Sequence, residues 1–316
     1  MTIEAQFDSD GEMVTWTADA DYAAGAVIQL PDGRAGVVSV AVESGDDVGV
    51  YVSGKFRVQK TLTMVMLIGS RLFWDHSANK AHLLHGGDRD FFLGAGCEDG
   101  ASAATDILVD LNVEPVYTVA LEHGFQSKPV STAGFPHVMG SGKGANLILD
   151  ATNEAQKVDA LSHRSVSVAG LAQCIGEALI VGVANGNNGV LDVSIGFAND
   201  THATDADSIT ESIFVHLDGN DLNINLESDD GTTEVNATDS TVDYVLGTPF
   251  LVQWDFRNLS DIQIYINGVN VLPNSVFKLN AAAGPIKALA MMEKSANATP
   301  GNYSVPRLGL RLTQDI

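Results

Sequence analysis

Carboxylates are the side chains of this sequence with the widest chemical scope, and they concentrate in one stretch. Between Asn199 and Asp243 there are 12 acidic residues and neither a lysine nor an arginine. Asp200, Asp205 and Asp207 fall close together within it, and carboxylates gathered in a loop can supply the six to eight oxygens that Ca²⁺ takes. The spacing is not that of a twelve-residue EF-hand loop. The stretch therefore predicts a solvated acidic rim, with a calcium site at these three aspartates as the alternative.

Two further patterns of reactive residue types are weaker. His76, His82 and His85 lie within ten positions and could bind zinc, but they lack helical i, i+4 spacing and a neighbouring cysteine ligand. Residues 140–144 read Gly-Ser-Gly-Lys-Gly, which lacks the Ser or Thr that follows the lysine of a phosphate-binding loop. No Gly-x-Ser-x-Gly nucleophile motif is present. These patterns predict surface histidines, a flexible connection and no catalytic residues.

The amino-acid composition limits the classes of partner that this chain is expected to bind. The chain has 316 residues with 40 Asp and Glu against 17 Lys and Arg, which gives a formal net charge of −23. Such a surface repels phosphate backbones and anionic lipid, so we expect neither nucleic-acid binding nor membrane insertion. No apolar run approaches the ~20 residues that span a bilayer, and Met1 to Asp8 lack the features of a secretion signal. Cys97 and Cys174 are expected to be reduced.

The elements that must position these residues are strands. Helical periodicity is nearly absent, and short period-two runs alternate with Gly, Asp and Asn turns, which predicts an all-β protein. The alternation is clearest at Phe250, Val252, Trp254 and Phe256, followed by a strand that ends at the hairpin turn Asn267-Gly268. Because antiparallel strands with one apolar face pack sheet on sheet, the second half predicts a β-sandwich. We divide the chain into residues 1–115, a connecting segment 116–144, and residues 145–316.

The first of these regions resembles a known family. The similarity rests on an ordered series of glycines, aromatics and lysines: Gly11, Trp16, Tyr22, Gly25, Gly36-Val37-Val38, Gly54-Lys55-Phe56, Lys60, Gly69 and Trp74-Asp75. This order resembles the small capsid-decoration proteins, also called cement or head-stabilising proteins, of tailed bacteriophages. The resemblance implies a small β-barrel or sandwich that binds the outer surface of the virion, commonly as a homotrimer. The implied partner is the major capsid protein, the implied role is head stabilisation without catalysis, and synthesis is expected in the cytoplasm of the bacterial host.

The resemblance also suggests which residues make the capsid or trimer contact. Lys55, Lys60 and Trp74 lie at positions that match the family's pattern. Ile3, Ala5 and Phe7 alternate in front of the first predicted strand, so they are expected to form an arm that adds to a neighbouring sheet edge.

The last region, residues 145–316, resembles the concanavalin-like, or laminin-G, jelly-roll sandwich. The similarity lies in Leu147-Ile148-Leu149-Asp150, Phe197-Ala198-Asn199-Asp200, Trp254-Asp255-Phe256 and Tyr265-Ile266-Asn267-Gly268-Val269. It implies a projecting domain that could bind host-surface carbohydrate or calcium. Some such domains are glucanases, for which Asp255 and Glu227 are the candidate pair, but the sequence holds no Glu-x-Asp-x-x-Glu cluster. The alternatives to a decoration protein are therefore a phage tail or fibre protein that adsorbs to carbohydrate, and a glycan-active enzyme.

Overall fold

The computed structural model describes residues 4–7 and 12–313. It divides into two units: the chain up to Val116 together with Asn267–Val269, and Tyr117–Ile266 together with the chain from Asn270 onward. Almost every element is a β-strand, so the predicted all-β class is confirmed. None of the helices in the described residues has the length and hydrophobicity to cross a bilayer.

The first unit contains two antiparallel sheets. Its strands are β1 (Ala5–Phe7), β2 (Met13–Thr17), β3 (Val27–Gln29), β4 (Ala35–Val38), β5 (Asp47–Tyr51), β6 (Lys55–Gln59), β7 (Arg71–Asp75), β8 (Lys80–His82), β9 (Phe91–Gly96) and β10 (Asp106–Leu111). The larger sheet has the order β1-β6-β10-β9-β7-β8, and the smaller one has the order β2-β5-β4-β3. Val38, Val48 and Val50 are among the buried aliphatic residues that line the small sheet.

The second unit is a sandwich of a seven-stranded and an eight-stranded sheet. Its strands are β11 (Val119–Ala120), β12 (Phe125–Gln126), β13 (His137–Ser141), β14 (Gly144–Leu149), β15 (Glu154–Ser162), β16 (Cys174–Ala184), β17 (Leu191–Ala198), β18 (Glu211–Asp218), β19 (Asn223–Asp230), β20 (Glu234–Asp243), β21 (Phe250–Asp255), β22 (Gln263–Ile266), β23 (Val269–Asn270), β24 (Lys287–Asn297) and β25 (Gly301–Leu312). One helical turn, α1 (Val168–Leu171), and two 3-10 turns, Leu121–His123 and Ala206–Ser208, complete it.

The two sheets of the sandwich enclose one large apolar core. The seven-stranded sheet runs β12-β15-β24-β17-β18-β19-β20, and the other runs β13-β14-β25-β16-β21-β22-β23 with β11 also paired to β25. Trp254 is buried in this core and meets Phe197 edge to face at 5.3 Å between ring centroids. The predicted alternation of β21 therefore places Trp254 in the core rather than on a sugar-binding surface. Asn267 and Gly268 both have positive φ, as the predicted turn requires.

The connection between the units is shorter than the predicted segment 116–144. Residues from Tyr117 onward belong to the second unit, and β11, β12 and β13 pair with β25, β15 and β14 respectively. The prolines at 115, 129 and 136 suggested irregular backbone, and they do separate these strands. The apolar residues between them nevertheless belong to the sandwich, since Val119 and Leu121 contribute to its core.

Candidate functional site

Six residues of the first unit are predicted to make the capsid or trimer contact, and among them Lys55 has an exposed side chain. Ala5, Lys60 and Trp74 are buried, so their side chains offer no surface to a coat subunit, and this corrects the predicted set. Ile3 lies outside the described residues. Phe7 belongs to β1, whose backbone pairs with β6 of the same chain, so at Ala5–Phe7 the predicted arm already has an intramolecular partner.

The burial of Lys60 and Trp74 follows from strand alternation. Phe56 and Val58 point inward from β6, and Lys60 continues that side just beyond the strand. Its ammonium donates to the backbone carbonyls of Thr61 at 3.0 Å and Met64 at 2.7 Å, and burial lowers its pKa. A buried ammonium with carbonyl partners is a structural group rather than a contact residue.

The solvent-facing side of β6 carries the exposed charges of this sheet. Lys55 is exposed, and Arg57 is partly exposed with its guanidinium 2.7 Å from Glu98 and 2.9 Å from Asp106. Both carboxylates raise the pKa of Arg57 by hydrogen bonding, so it stays charged. A cleft of about 350 Å³ runs beside Arg57 and is lined in addition by Gln6, Gln59 and Lys80 among others. This face replaces the buried residues as the candidate contact surface of the first unit.

The most unusual polar cluster of the second unit surrounds His216. Val215 and Leu217 of β18 point into the core, so His216 and Asp218 lie on the opposite, outer face of the seven-stranded sheet. Register places Ser194 directly beside His216, and Asp192 directly beside both Asp218 and Glu293. The 199–210 connection crosses this face, and its Ala206 and Ile209 cover an apolar patch formed by Leu161, Phe214, Leu289 and Met291.

His216 lies between two pairs of carboxylates. Its Nε2 is 3.3 Å from Asp192 Oδ1 and 3.7 Å from Asp218 Oδ1. Its Nδ1 is 3.5 Å from Glu227 Oε2 and 3.6 Å from Asp207 Oδ1. Within the described residues, these are the two groups of three or more acidic, His or Cys ligand atoms that lie within 4.8 Å of one another.

The electrostatics of this cluster are strongly perturbed. Burial, reinforced by neighbouring carboxylates, raises the pKa of Asp192 to about 7, and burial together with Asp192 raises that of Glu293 to about 9. Burial also raises the pKa of Glu227. For His216, burial opposes protonation, but the hydrogen bond to Glu227 and the surrounding charges outweigh it and raise the pKa to about 10. The cluster thus holds more carboxylates than its one imidazolium can neutralise.

The calcium candidates are only partly brought together. Asp205 accepts hydrogen bonds from Asp207 N and Ser208 Oγ, and so caps the 3-10 turn at Ala206–Ser208. Asp200 accepts from the adjacent Thr201 N. Asp207 alone of the three belongs to a group with metal-ligand spacing. Sequence reasoning missed His216, because three of the four carboxylates that face it come from other segments of the chain.

The residues of the other predicted sites have structural roles. Asp255 lies on β21 and pairs with Arg257 at 2.6 Å, whereas Glu227 lies on β19 of the other sheet, so the proposed glucanase pair is not assembled. In the first unit, Asp90 accepts from the backbone N–H groups of His76, Gly86 and Gly87 and fixes the loop that holds the three histidines. Both cysteines are free thiols.

A buried ionic network lies on the outer face of the eight-stranded sheet. Glu177 accepts from Arg307 Nε at 2.6 Å, Arg311 Nη1 at 2.8 Å, Tyr117 Oη at 3.0 Å and Gln253 Nε2 at 3.1 Å. The two arginines and these hydrogen bonds overcome the effect of burial and lower the pKa of Glu177 to about 2. Tyr117 packs over Gly309, where a Cβ would lie 3.0 Å from its ring. The network pins the first residues of the second unit to its last strand.

Comparison with known proteins connects the first unit to a family. Residues 9–111 match the model of the phage cement protein family, which confirms the resemblance seen in the sequence for this region. A comparison with curated proteins gives no match.

The comparison with solved structures gives matches of low sequence identity. The carbohydrate recognition domain of Emp47p has a TM-score of 0.43 at 10% identity, covering 60% of this chain and 88% of that one. The VIP36 exoplasmic/lumenal domain in its Ca²⁺/Man3GlcNAc-bound form scores 0.40 at 9% identity over 61% and 86%. The carbohydrate binding module CBM66 from Bacillus subtilis scores 0.37 at 10% identity over 58% and 94%.

Proposed function

We propose that this protein is a non-enzymatic decoration protein of a phage capsid, whose first unit binds the major capsid protein on the outer surface and stabilises the head. The observation that carries the proposal is the cement-family match, which extends over residues 9–111 of a unit that ends at Val116. The predicted homotrimer belongs to this proposal. The larger sheet ends at β1 and β8 and the smaller at β2 and β3, and a closed assembly would cover such edges.

The proposed contact surface is the solvent-facing side of β6. Lys55 is exposed there, and Arg57 is held in place by Glu98 and Asp106 rather than swinging freely. An arginine fixed in this way loses little conformational entropy on binding, and it still presents donors to a carboxylate or carbonyl of a partner. A charge reversal on this face changes the contact without touching the core.

The test is co-sedimentation of the full chain with purified empty heads, followed by cryo-electron microscopy of the complex. We expect wild-type protein to sediment with heads and to appear as added density on the outer surface. Lys55→Glu is expected to reduce occupancy at least tenfold at unchanged melting temperature. Lys128→Glu, an exposed lysine of the second unit, is the matched control and is expected to bind normally.

Other results would redirect the assignment. Binding to purified tails but not to heads would favour the tail or fibre alternative. Release of reducing sugar from a glycan substrate would favour an enzyme. Normal head binding by the charge-reversed protein would leave the decoration role intact but remove β6 as its contact face.

We further propose that the second unit binds a host-surface glycan at Phe135. This ring is 77% exposed, lies 5.4 Å from the ring of His137 and is presented by a preorganised loop. Glu154 accepts hydrogen bonds from the backbone N–H groups of Thr132, Ala133 and Gly134, and Asp150 accepts from Phe135 N. An aromatic ring that is fixed in solvent can stack on a sugar ring at little entropic cost.

A glycan array with full-length protein tests this second role. Phe135→Ala is expected to abolish the signal, Phe135→Trp to retain it, and Val183→Ala, which also shortens an exposed apolar side chain, to leave it unchanged. A signal that persists in Phe135→Ala would exclude this loop, and no signal from the wild-type protein would exclude the role.

A further inference from the structure

We propose that the cluster around His216 is a binding site for one divalent transition-metal ion, ligated by His216 Nε2 and by the carboxylates of Asp192 and Asp218. The pairing register of the strands supports this proposal. Glu293, Asp192 and Asp218 stand in one row across β24, β17 and β18 and share the outer face. Directly opposed like charges destabilise a sheet, and this row places three in succession.

The distances within the cluster fit metal ligands better than hydrogen bonds. A charge-assisted N–H···O bond is about 2.7–2.9 Å long, whereas Nε2 lies 3.3 Å from Asp192 Oδ1 and 3.7 Å from Asp218 Oδ1. Two ligands on one tetrahedral ion, each about 2.0–2.1 Å from it, are about 3.3–3.4 Å apart. The observed separations are therefore close to those of groups that share an ion.

An independent observation is that polar atoms are left without partners at this place. Ser194 is 1% exposed and lies beside His216 in register, yet its Oγ has no hydrogen-bond partner among the described residues. The same holds for Asp192 Oδ1, Glu293 Oε2 and Glu227 Oε1. Glu293 and Glu227 are 9% and 8% exposed. Buried polar groups normally find partners, so their concentration here indicates that a ligand is part of the site.

The donor set identifies the class of ion. One imidazole with two carboxylates suits a first-row transition metal such as Zn²⁺ or Mn²⁺, whereas Ca²⁺ takes oxygen ligands alone. A metal-bound histidine usually donates its other ring N–H to a carboxylate. Glu227 Oε2, 3.5 Å from Nδ1, is placed for that positioning role.

Isothermal titration of full-length, EDTA-treated protein with Zn²⁺ tests the proposal. We expect one ion per chain and weaker binding of Ca²⁺ than of Zn²⁺. When free Zn²⁺ is about 100 times Kd, the melting temperature should rise by roughly 5–10 °C. Asp192→Asn and Asp218→Asn should each weaken Zn²⁺ binding at least about 100-fold, and Glu227→Gln about 10–100-fold. Asp200→Asn is the matched control, because Asp200 accepts from Thr201 N outside the cluster.

The metal-free melting temperatures separate lost binding from lost folding. Asp192→Asn removes a repulsive charge from the row, so its metal-free form should melt at or above the temperature of the metal-free wild type. Absence of Zn²⁺ binding by the wild type, or tighter binding of Ca²⁺ than of Zn²⁺, would overturn the proposal. So would loss of binding in Asp207→Asn with normal binding in Asp192→Asn, which would place the ion on the other side of the imidazole.

Discussion

Replacing Glu177 with Gln removes one charge and almost no volume from the second unit. Arg307 and Arg311 then lack their carboxylate partner, and Arg311 is itself buried. Breaking a buried ion pair from one side costs about 3–5 kcal/mol, because the remaining charge is left uncompensated. For a unit of this size we expect the melting temperature to fall by roughly 6–20 °C.

The pH dependence of this loss distinguishes the ionic network from simple packing. The pKa of Glu177 is lowered from its usual value of 4.5 to about 2, so its stabilising contribution is complete above about pH 5 and declines as the pH falls toward 2. A difference of this size corresponds to about 3 kcal/mol. The stability gap between wild type and Glu177→Gln should therefore be widest near pH 7 and much smaller near pH 2.5.

Urea unfolding of both proteins at several pH values measures this gap. Asp255→Asn serves as the control, because its ion pair with Arg257 is close to the surface and its loss should cost less than about 1 kcal/mol. An equal gap at pH 7 and pH 2.5, or a cost below 1 kcal/mol at pH 7, would show that the charge of Glu177 does not stabilise the sandwich.

Three other predictions follow from the packing and the family. Trp254→Ala should cost about 3–5 kcal/mol by leaving a cavity in the sandwich core, and should leave any glycan signal intact, as read by thermal melts and the array. Gly94→Ala should destabilise the first unit by more than about 1 kcal/mol, since φ is +154° and a Cβ would lie 2.1 Å from Asp110 O; thermal melting of the variant checks this. Light scattering of the full chain at micromolar concentration should give the mass of three chains, and a monomer would contradict the trimer.

The fold was largely predictable because its signals are local. The period-two alternation of β21 and the Asn267-Gly268 turn depend on neighbouring residues, and both occur as predicted. The extent of the sandwich was not, because the prolines before β13 suggested a linker. β11 joins its sheet by pairing with β25, which is more than a hundred residues away. β13 joins the same sheet by pairing with β14, the next strand along the chain.

The candidate sites were less predictable, for two physical reasons. Lys60 has the composition of a surface contact, but its side chain continues the inward face of β6, and two carbonyls allow its burial. The His216 cluster depends on strand register, which joins residues as distant as Asp192 and Glu293. The acidic stretch between Asn199 and Asp243 includes Asp207 and Glu227 of this cluster, so it indicated the right region of the chain. It did not indicate His216, which lies between those two residues.

The network that joins Tyr117 to β25 has a mechanical consequence. A pull on the chain that ends at Val116 reaches the sandwich at Tyr117, where the ring is hydrogen-bonded to Glu177 and the next residues pair with β25 through Val119 and Ala120. Tension is thus delivered to the closing strand of the sandwich through a buried ionic clamp rather than to a free end. Unfolding that begins at Tyr117 must first break the hydrogen bonds and ion pairs of Glu177. The sandwich should therefore resist a shear force applied at Tyr117 better than it would if the two-residue pairing of β11 acted alone.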